Sequence, residues 1–210
     1  MSTHKSGIPA MAIQRHLGVT YKTAWRMGHQ IRKMMDAPEG LIDGEVEIDE
    51  TFMHPNAFKR SSAMKKYGYD VRRRGEVVFG IVQRGGIVKV WHVPSTGVRV
   101  LRPIIERNVT YGSTVHTDGA GTYKSLRATG YDHRWTDHGR GEYYREDSYT
   151  QNIENFWSHY KRGIKGVYRH IGKGYIQAYG DEFAWRYSNR NKPSMFWSLM
   201  CAIDQRKSVK

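Results

Sequence analysis

Hydrophobic and polar positions along the chain change period at about residue 44. Residues 7 to 36 read as two helices about a tight turn. Pro9 suits a first helical turn, Gly18 is placed to end the first helix, and Thr20 is a good N-cap for the second. In the second helix Ala24, Met27, Ile31 and Met34 or Met35 recur at core-facing spacing, which turns Tyr21, Lys22, Thr23 and Arg26 outward. From residue 44 the period is that of strands. Val46, Ile48 and Thr51-Phe52 belong to one extended run. Val77 to Val82 and Ile87 to Val93 form two more, joined at Arg84-Gly85-Gly86, where adjacent glycines allow a hairpin. Val98 to Asn108 has helical spacing, Ser113 to Thr117 reads as a short strand, a helix is expected after Gly119, and Arg134-Trp135-Thr136 offers another strand. The clearest helix covers 149 to 165, where Ile153, Phe156, Trp157, Tyr160 and Ile164 make one apolar stripe. A last helix is expected over Tyr175 to Ser188, ahead of a polar break ending at Pro193.

Charge narrows the choice of partner. Thirty-four Lys and Arg against twenty Asp and Glu leave a formal charge of +14, so a polyanion, with nucleic acid the obvious one, is the expected ligand. A hydrophobic fraction of 39% with 12% aromatics is enough for a folded core despite a mean hydropathy of -0.71. The single cysteine, Cys201, excludes an internal disulfide framework and a zinc site built from two or more thiolates of this chain. No run approaches the roughly 18 apolar residues that cross a bilayer, and the first residues lack the apolar core of a secretory signal. A cytoplasmic, nucleoid-associated protein without a membrane partner is the expectation.

Basic residues concentrate between the first two strands. Lys59, Arg60, Lys65, Lys66, Arg72, Arg73 and Arg74 stand against one acid, Asp70. Singly each reads as a solvated side chain; jointly they read as a phosphate-binding edge, because neutralising several phosphates releases counterions without base readout. The outward residues of the second helix sit where a helix-turn-helix presents its reading face to the major groove. Two-helix hairpins are also commonly structural. The candidate DNA contacts are Tyr21, Lys22, Thr23, Arg26, Lys65, Lys66, Arg72, Arg73, Arg74 and Lys165.

In so basic a chain, three acids call for an explanation. Asp49 interrupts the first strand in Glu47-Ile48-Asp49-Glu50-Thr51, Asp118 ends the strand Val115-His116-Thr117-Asp118, and Glu154 sits beside the apolar stripe of the clearest helix. They can converge if the first and fourth strands are neighbours and that helix packs across them. Such a cluster repels itself unless cations occupy it, and hard oxygen ligands suit Mg²⁺ or Mn²⁺. Two ions in such a site serve phosphoryl transfer at a phosphodiester, one at the attacking and one at the leaving oxygen. Lys161, seven residues beyond Glu154, returns to the same helical face and is placed to hold a phosphate. Taken singly, Asp118 is an ordinary turn acid, Glu154 a surface acid and Lys161 part of a solvated face.

These stretches resemble a family, the DDE superfamily of transposases, in its bacterial insertion-sequence branch called ISXO-like. The resemblance is carried by Glu47-Ile48-Asp49-Glu50-Thr51, by Thr117-Asp118-Gly119-Ala120-Gly121-Thr122-Tyr123, and by Asn152-Ile153-Glu154-Asn155-Phe156-Trp157-Ser158 followed by Lys161-Arg162-Gly163-Ile164. It extends through Asp181-Glu182-Phe183-Ala184-Trp185-Arg186-Tyr187 and covers nearly everything from residue 7 to 190. It implies an α/β, ribonuclease-H-like mixed sheet flanked by helices and preceded by a small helix-turn-helix. The expected division is a DNA-binding segment over 1–40, a catalytic domain over 41–192 with its basic loop at 59–74, and a C-terminal tail over 193–210. It further implies Mg²⁺ dependence, Asp49, Asp118 and Glu154 as metal-binding catalytic residues, and Lys161 as the basic residue two turns after the acid. His138 and Asn152 lie in similar stretches, as candidates to orient a metal ligand or substrate.

By the same resemblance the reaction is hydrolysis at the element's ends, freeing a 3′-hydroxyl that then attacks target DNA, with a homodimer on double-stranded DNA as the working unit. Relatives commonly carry a zinc ribbon ahead of the helix-turn-helix, for which this chain lacks the cysteines. Phe52-Met53-His54-Pro55 stands where the branch has a glycine-rich continuation, and Glu154 keeps a carboxylate where some relatives have Asn. Two other readings fit the charge: a catalytically silent DNA-binding repressor derived from such an element, which needs none of the acids, and a nuclease of the same fold that cuts without joining.

Overall fold

The computed structural model describes residues 6–35, 37, 39–54, 75–119, 121–136 and 149–207, with side chains to residue 201. The basic loop from Lys59 to Arg74 and His138 lie outside the described residues. The chain opens with α1 (Ala10–Leu17) and α2 (Tyr21–Lys33). Gly18 ends α1 at φ +65°, a left-handed conformation that favours glycine, and its N–H closes on the Gln14 carbonyl. Thr20 caps α2 by accepting the Thr23 N–H at 3.2 Å.

Five strands follow: β1 (Glu45–Met53), β2 (Glu76–Gln83), β3 (Val88–Val93), β4 (Thr114–Asp118) and β5 (Asp132–Thr136). Between them lie α3 (Val98–Asn108) and a 3₁₀ helix, Gly121–Thr129, and after them α4 (Gln151–Gly163), α5 (Ile176–Ser188) and α6 (Met195–Lys207). The sheet order is β3-β2-β1-β4-β5; β1, β2 and β3 pair antiparallel, while β4 lies parallel to β1 and β5 parallel to β4. A mixed sheet in that order, flanked by helices, is the ribonuclease-H-like architecture expected from the sequence.

Strand alternation builds a core on each face. Val46, Ile48, Val77, Phe79 and Ile81 join Leu101 and Ile105 of α3, whereas Val78, Val82 and Val90 join Ile153, Phe156, Trp157 and Tyr160 of α4 and Phe183 of α5. Ile48, Phe79 and Ile81 are fully buried, and each such side chain contributes about 1.5–3 kcal/mol. The whole apolar stripe of the clearest helix is buried as expected.

Three expectations need correction. Met27 is 37% exposed, because the buried side of α2 runs Ala24, Gly28, Arg32, a stripe set by Glu182 as a partner for an inward arginine. The helix after Gly119 is 3₁₀, not α. The stretch from 193, expected as a tail, carries α6, whose Leu199 packs with Met35 and Trp185.

The amino-terminal helices are tied to the sheet domain by a buried charge cluster. Glu182 of α5, with no exposed surface, accepts from Arg32 Nε at 2.7 Å, Arg186 Nη2 at 2.8 Å and Tyr168 Oη at 2.8 Å. The Arg32 guanidinium also lies over the Tyr179 ring at 4.1 Å. Removing the central carboxylate strands two buried cations. Glu182→Ala is therefore expected to lower unfolding free energy by about 3–5 kcal/mol and Glu182→Gln by less. Chemical denaturation measures both, and a loss under about 1 kcal/mol for the alanine variant would show that the cluster does not hold the helices.

Candidate active site

The central strand β1 carries Glu47 and Asp49 on the face opposite Val46 and Ile48. Glu47 and Asp49 point toward α4, and each is tied to that helix. Glu47 is fully buried and accepts the Asn152 N–H at 2.8 Å, the Ile153 N–H at 3.0 Å and the Asn152 side-chain amide at 2.8 Å. These donors are among those a helix start leaves without partners, so one carboxylate caps the amino end of α4 and complements its dipole. Arg84 adds a contact to Glu47 at 3.0 Å and lies 3.7 Å over the Tyr149 ring, just before the helix.

Asp49 is joined to α4 one turn beyond Glu154, accepting from Trp157 Nε1 at 3.0 Å. The Trp157 ring fits against β2 because Gly80 leaves it room: a Cβ there would lie 2.7 Å from the ring. Gly80 is also the antiparallel partner of Asp49, so the indole crosses from one strand to the acid of the next.

Asp118 arrives through parallel register. The parallel ladder of β1 and β4 runs to the pair Glu47 and His116, and Asp118, two residues further along β4, lies close enough for its charge to act on Asp49. Burial, then the Glu50 and Asp118 charges, push the Asp49 carboxyl up to about 7, against the hydrogen bond from Trp157. Glu50, on the other face of β1, accepts from the buried Tyr123 hydroxyl; burial and then Asp118 raise its pKa as well. Asp118 of β4 is thus close enough to disfavour ionisation of both Asp49 and Glu50.

Glu154 is exposed, and its Oε1 accepts from Thr150 Oγ1 at 3.0 Å. Among the described residues no three His, Cys, Asp or Glu side chains form a ready metal cage. The structure brings two of the three expected acids together and holds the third on a helix pinned to one of them. Hard carboxylate oxygens are the donor type that a divalent cation takes, and Asp49 and Asp118 are the two that could hold one.

Of the other expected residues, Lys161 and Lys165 are exposed beyond Glu154, on α4 and on the π-helical segment after it. Tyr21, Lys22, Thr23 and Arg26 are all exposed along one end of α2. Asn152 gives its amide to Glu47 and so orients the helix that bears Glu154. Sequence reasoning missed Glu47, Trp157, Glu50 and Tyr123 as parts of the site. A charged residue alternating with Asp49 in an apolar strand was the signal for Glu47; Trp157 was read only as core.

A ribonuclease-H-like sheet with acids crowded where β1 and β4 run side by side defines a class of protein built around clustered carboxylates. Residues 41–188 match the ISXO2-like transposase domain, and the chain belongs to that family. It is 26% identical over 191 residues to an uncharacterized protein in transposable element ISH50 of Halobacterium salinarum, covering 86% of this chain and 65% of that protein's length. It is 31% identical over 97 residues to an uncharacterized transposase-like protein of Haemophilus influenzae, covering 46% of this chain and 77% of that one. Among solved structures, a chain of the simian T-cell lymphotropic virus intasome in complex with PP2A regulatory subunit B56 gamma superposes at a TM-score of 0.37 with 12% identity, covering 91% of this chain and 68% of that one. No helix among the described residues is long and apolar enough to cross a membrane.

The raised Asp49 pKa has a consequence for stability. The folded protein holds the Asp49 proton more tightly than the unfolded chain, so this contribution is fully present below about pH 4 and lost as pH rises through about 7. With divalent ions chelated, the melting temperature of the native protein relative to Asp49→Asn is expected to fall between pH 5 and pH 8. A difference independent of pH would show that the carboxyl is not perturbed.

Proposed function

We propose that this chain is a DNA transposase that cleaves at the ends of an insertion sequence and transfers the freed strand into target DNA. The observation that carries this reading is that Asp118, at the end of β4, lies close enough to Asp49 of the neighbouring parallel strand β1 for its charge to raise the Asp49 pKa, with the helix bearing Glu154 fastened to Asp49 through Trp157. Membership of a transposase family supports the chemistry. Magnesium or manganese, two ions by expectation, supplies activation of the attacking oxygen and stabilisation of the leaving oxygen when bound.

Each residue has a defined task. Asp49 and Asp118 supply the fixed oxygens, held by strand register. Glu154 supplies the adjustable one, since a side chain resting on Thr150 at the surface reaches inward by rotation about its own bonds. Glu47 and Trp157 keep α4 at a constant distance from β1, which preserves that reach. Lys161, two turns along the same helix, takes a backbone phosphate next to the carboxylates. The exposed residues of α2 read the element's ends, the loop from Lys59 to Arg74 holds the phosphate backbone, and a homodimer joins two ends in one complex.

Asp49→Asn, Asp118→Asn and Glu154→Gln are each expected to abolish Mg²⁺-dependent cleavage of DNA carrying the element's ends while changing affinity for that DNA less than about threefold. Retained cleavage in any one of them removes that residue from the site. Wild-type protein that binds such DNA and never cuts it, with either metal, favours the silent repressor. Cleavage without joined products from a supercoiled target favours the nuclease.

Reversing the charge of Lys65, Lys66, Arg72, Arg73 and Arg74 together is expected to weaken DNA binding and flatten its salt dependence. Titrations at several salt concentrations measure the slope. A slope equal to that of the unmodified protein would return the loop to the status of a solvated connection.

A further inference from the structure

Beside the paired acids lies a cavity of about 240 Å³ lined by Asp118, Gly119, Lys124, Arg127, His133 and Trp135. It opens at the carboxyl ends of β4 and β5, the edge at which open α/β sheets commonly bind their ligands. Its volume is below the roughly 300–1,000 Å³ of a drug-sized site, which suits one nucleotide and not a duplex.

The lining divides into three kinds of surface. Lys124 and Arg127 are exposed cations on the 3₁₀ helix, opposite Asp118. Trp135, 36% exposed, presents an aromatic surface at the end of β5. His133 is buried behind them, and its Nε2 lies 2.9 Å from Thr117 Oγ1. The Thr117 hydroxyl gives its hydrogen to the Asp118 carbonyl at 2.8 Å, so Nε2 is the donor in its contact with Thr117, as it is in one neutral tautomer of the ring. Burial, followed by the Arg127 charge, pushes His133 down to about 4, consistent with that state. The positive charge of the cavity therefore comes from Lys124 and Arg127, and the hydrogen bonds through Thr117 stiffen the strand end that carries Asp118.

We infer that this cavity is a subsite for one unpaired deoxynucleotide next to the phosphate that reacts beside the acid pair, with Trp135 stacking on the base and Lys124 and Arg127 on its flanking phosphates. Cations for a backbone beside an aromatic plane for a base are the two elements of sequence-tolerant single-strand binding. Sharing Asp118 with the acid pair places the nucleotide directly beside the reacting bond. The inference rests on the proposed function and deepens it: a nucleotide drawn out of pairing here fixes the strand's direction through the site.

The test uses the full chain as Asp49→Asn, which leaves every lining residue intact, and compares a blunt DNA duplex with one bearing a short 3′ single-stranded overhang containing 2-aminopurine. Adding Trp135→Ala, or Lys124→Ala with Arg127→Ala, is expected to weaken overhang binding on the order of 10-fold and to relieve quenching of the 2-aminopurine. Trp135→Phe is expected to recover most of the affinity, and blunt duplex binding to change less than threefold. Overhang binding and quenching unchanged in both sets overturn the subsite even if wild-type protein cleaves DNA. Loss in those variants supports it even if wild-type protein never cleaves, which separates this inference from the reading it rests on. Equal loss on blunt and overhang DNA also overturns it, since the cavity would then be part of a general phosphate surface.

Discussion

The structure depends on a buried carboxylate serving as the cap of a helix. Glu47 has no exposed surface and sits in the central strand, a place where an unpaired charge would be prohibitive. It is tolerated because two backbone amides, the Asn152 amide and Arg84 converge on it. The same bonds fix where α4 begins. Since Glu154 follows the capped amides by only one or two residues, its position relative to β1 is determined by a contact made elsewhere on the strand. Trp157 repeats the device a turn later with Asp49.

That arrangement explains how a strongly basic protein keeps acids crowded together. Burial first, and then the charge of Asp118, disfavour ionisation of Asp49 and Glu50. Folding energy from the two apolar cores offsets it: β1 contributes Val46 and Ile48 to one face while Met53 and the rings of α4 fill the other. A crowded pair of this kind is an electrostatic strain that a divalent cation relieves, the physical link between the fold and the proposed chemistry. The buried Arg32 and Glu182 pair plays a parallel part between α2 and α5.

Secondary structure was largely legible because the signals are local. The turn at Gly18, the cap at Thr20, the hairpin at Arg84-Gly85-Gly86 and the stripe from Ile153 to Ile164 each follow from nearby residues. The errors have a common source. Met27 was read inward and Arg32 was not, because periodicity counts apolarity and has no means to know that Glu182, 150 residues away, awaits an arginine. The 3₁₀ geometry after Gly119 and the packing of Leu199 are likewise imposed by tertiary neighbours.

For the site, the sequence by itself determined which residues have the right chemistry: Asp49 and Asp118 at strand positions, Glu154 and Lys161 on one helical face. It also determined a prior resemblance, since short motifs are preserved in order along the chain. Only the tertiary structure decided that β4 lies parallel to β1 and brings the charge of Asp118 to Asp49, and that Glu47 and Trp157 anchor α4. The reason is that residue type and local period are properties of neighbours along the chain, whereas register, capping across a sheet and the crowding of charge depend on contacts between segments about 70 to 150 residues apart.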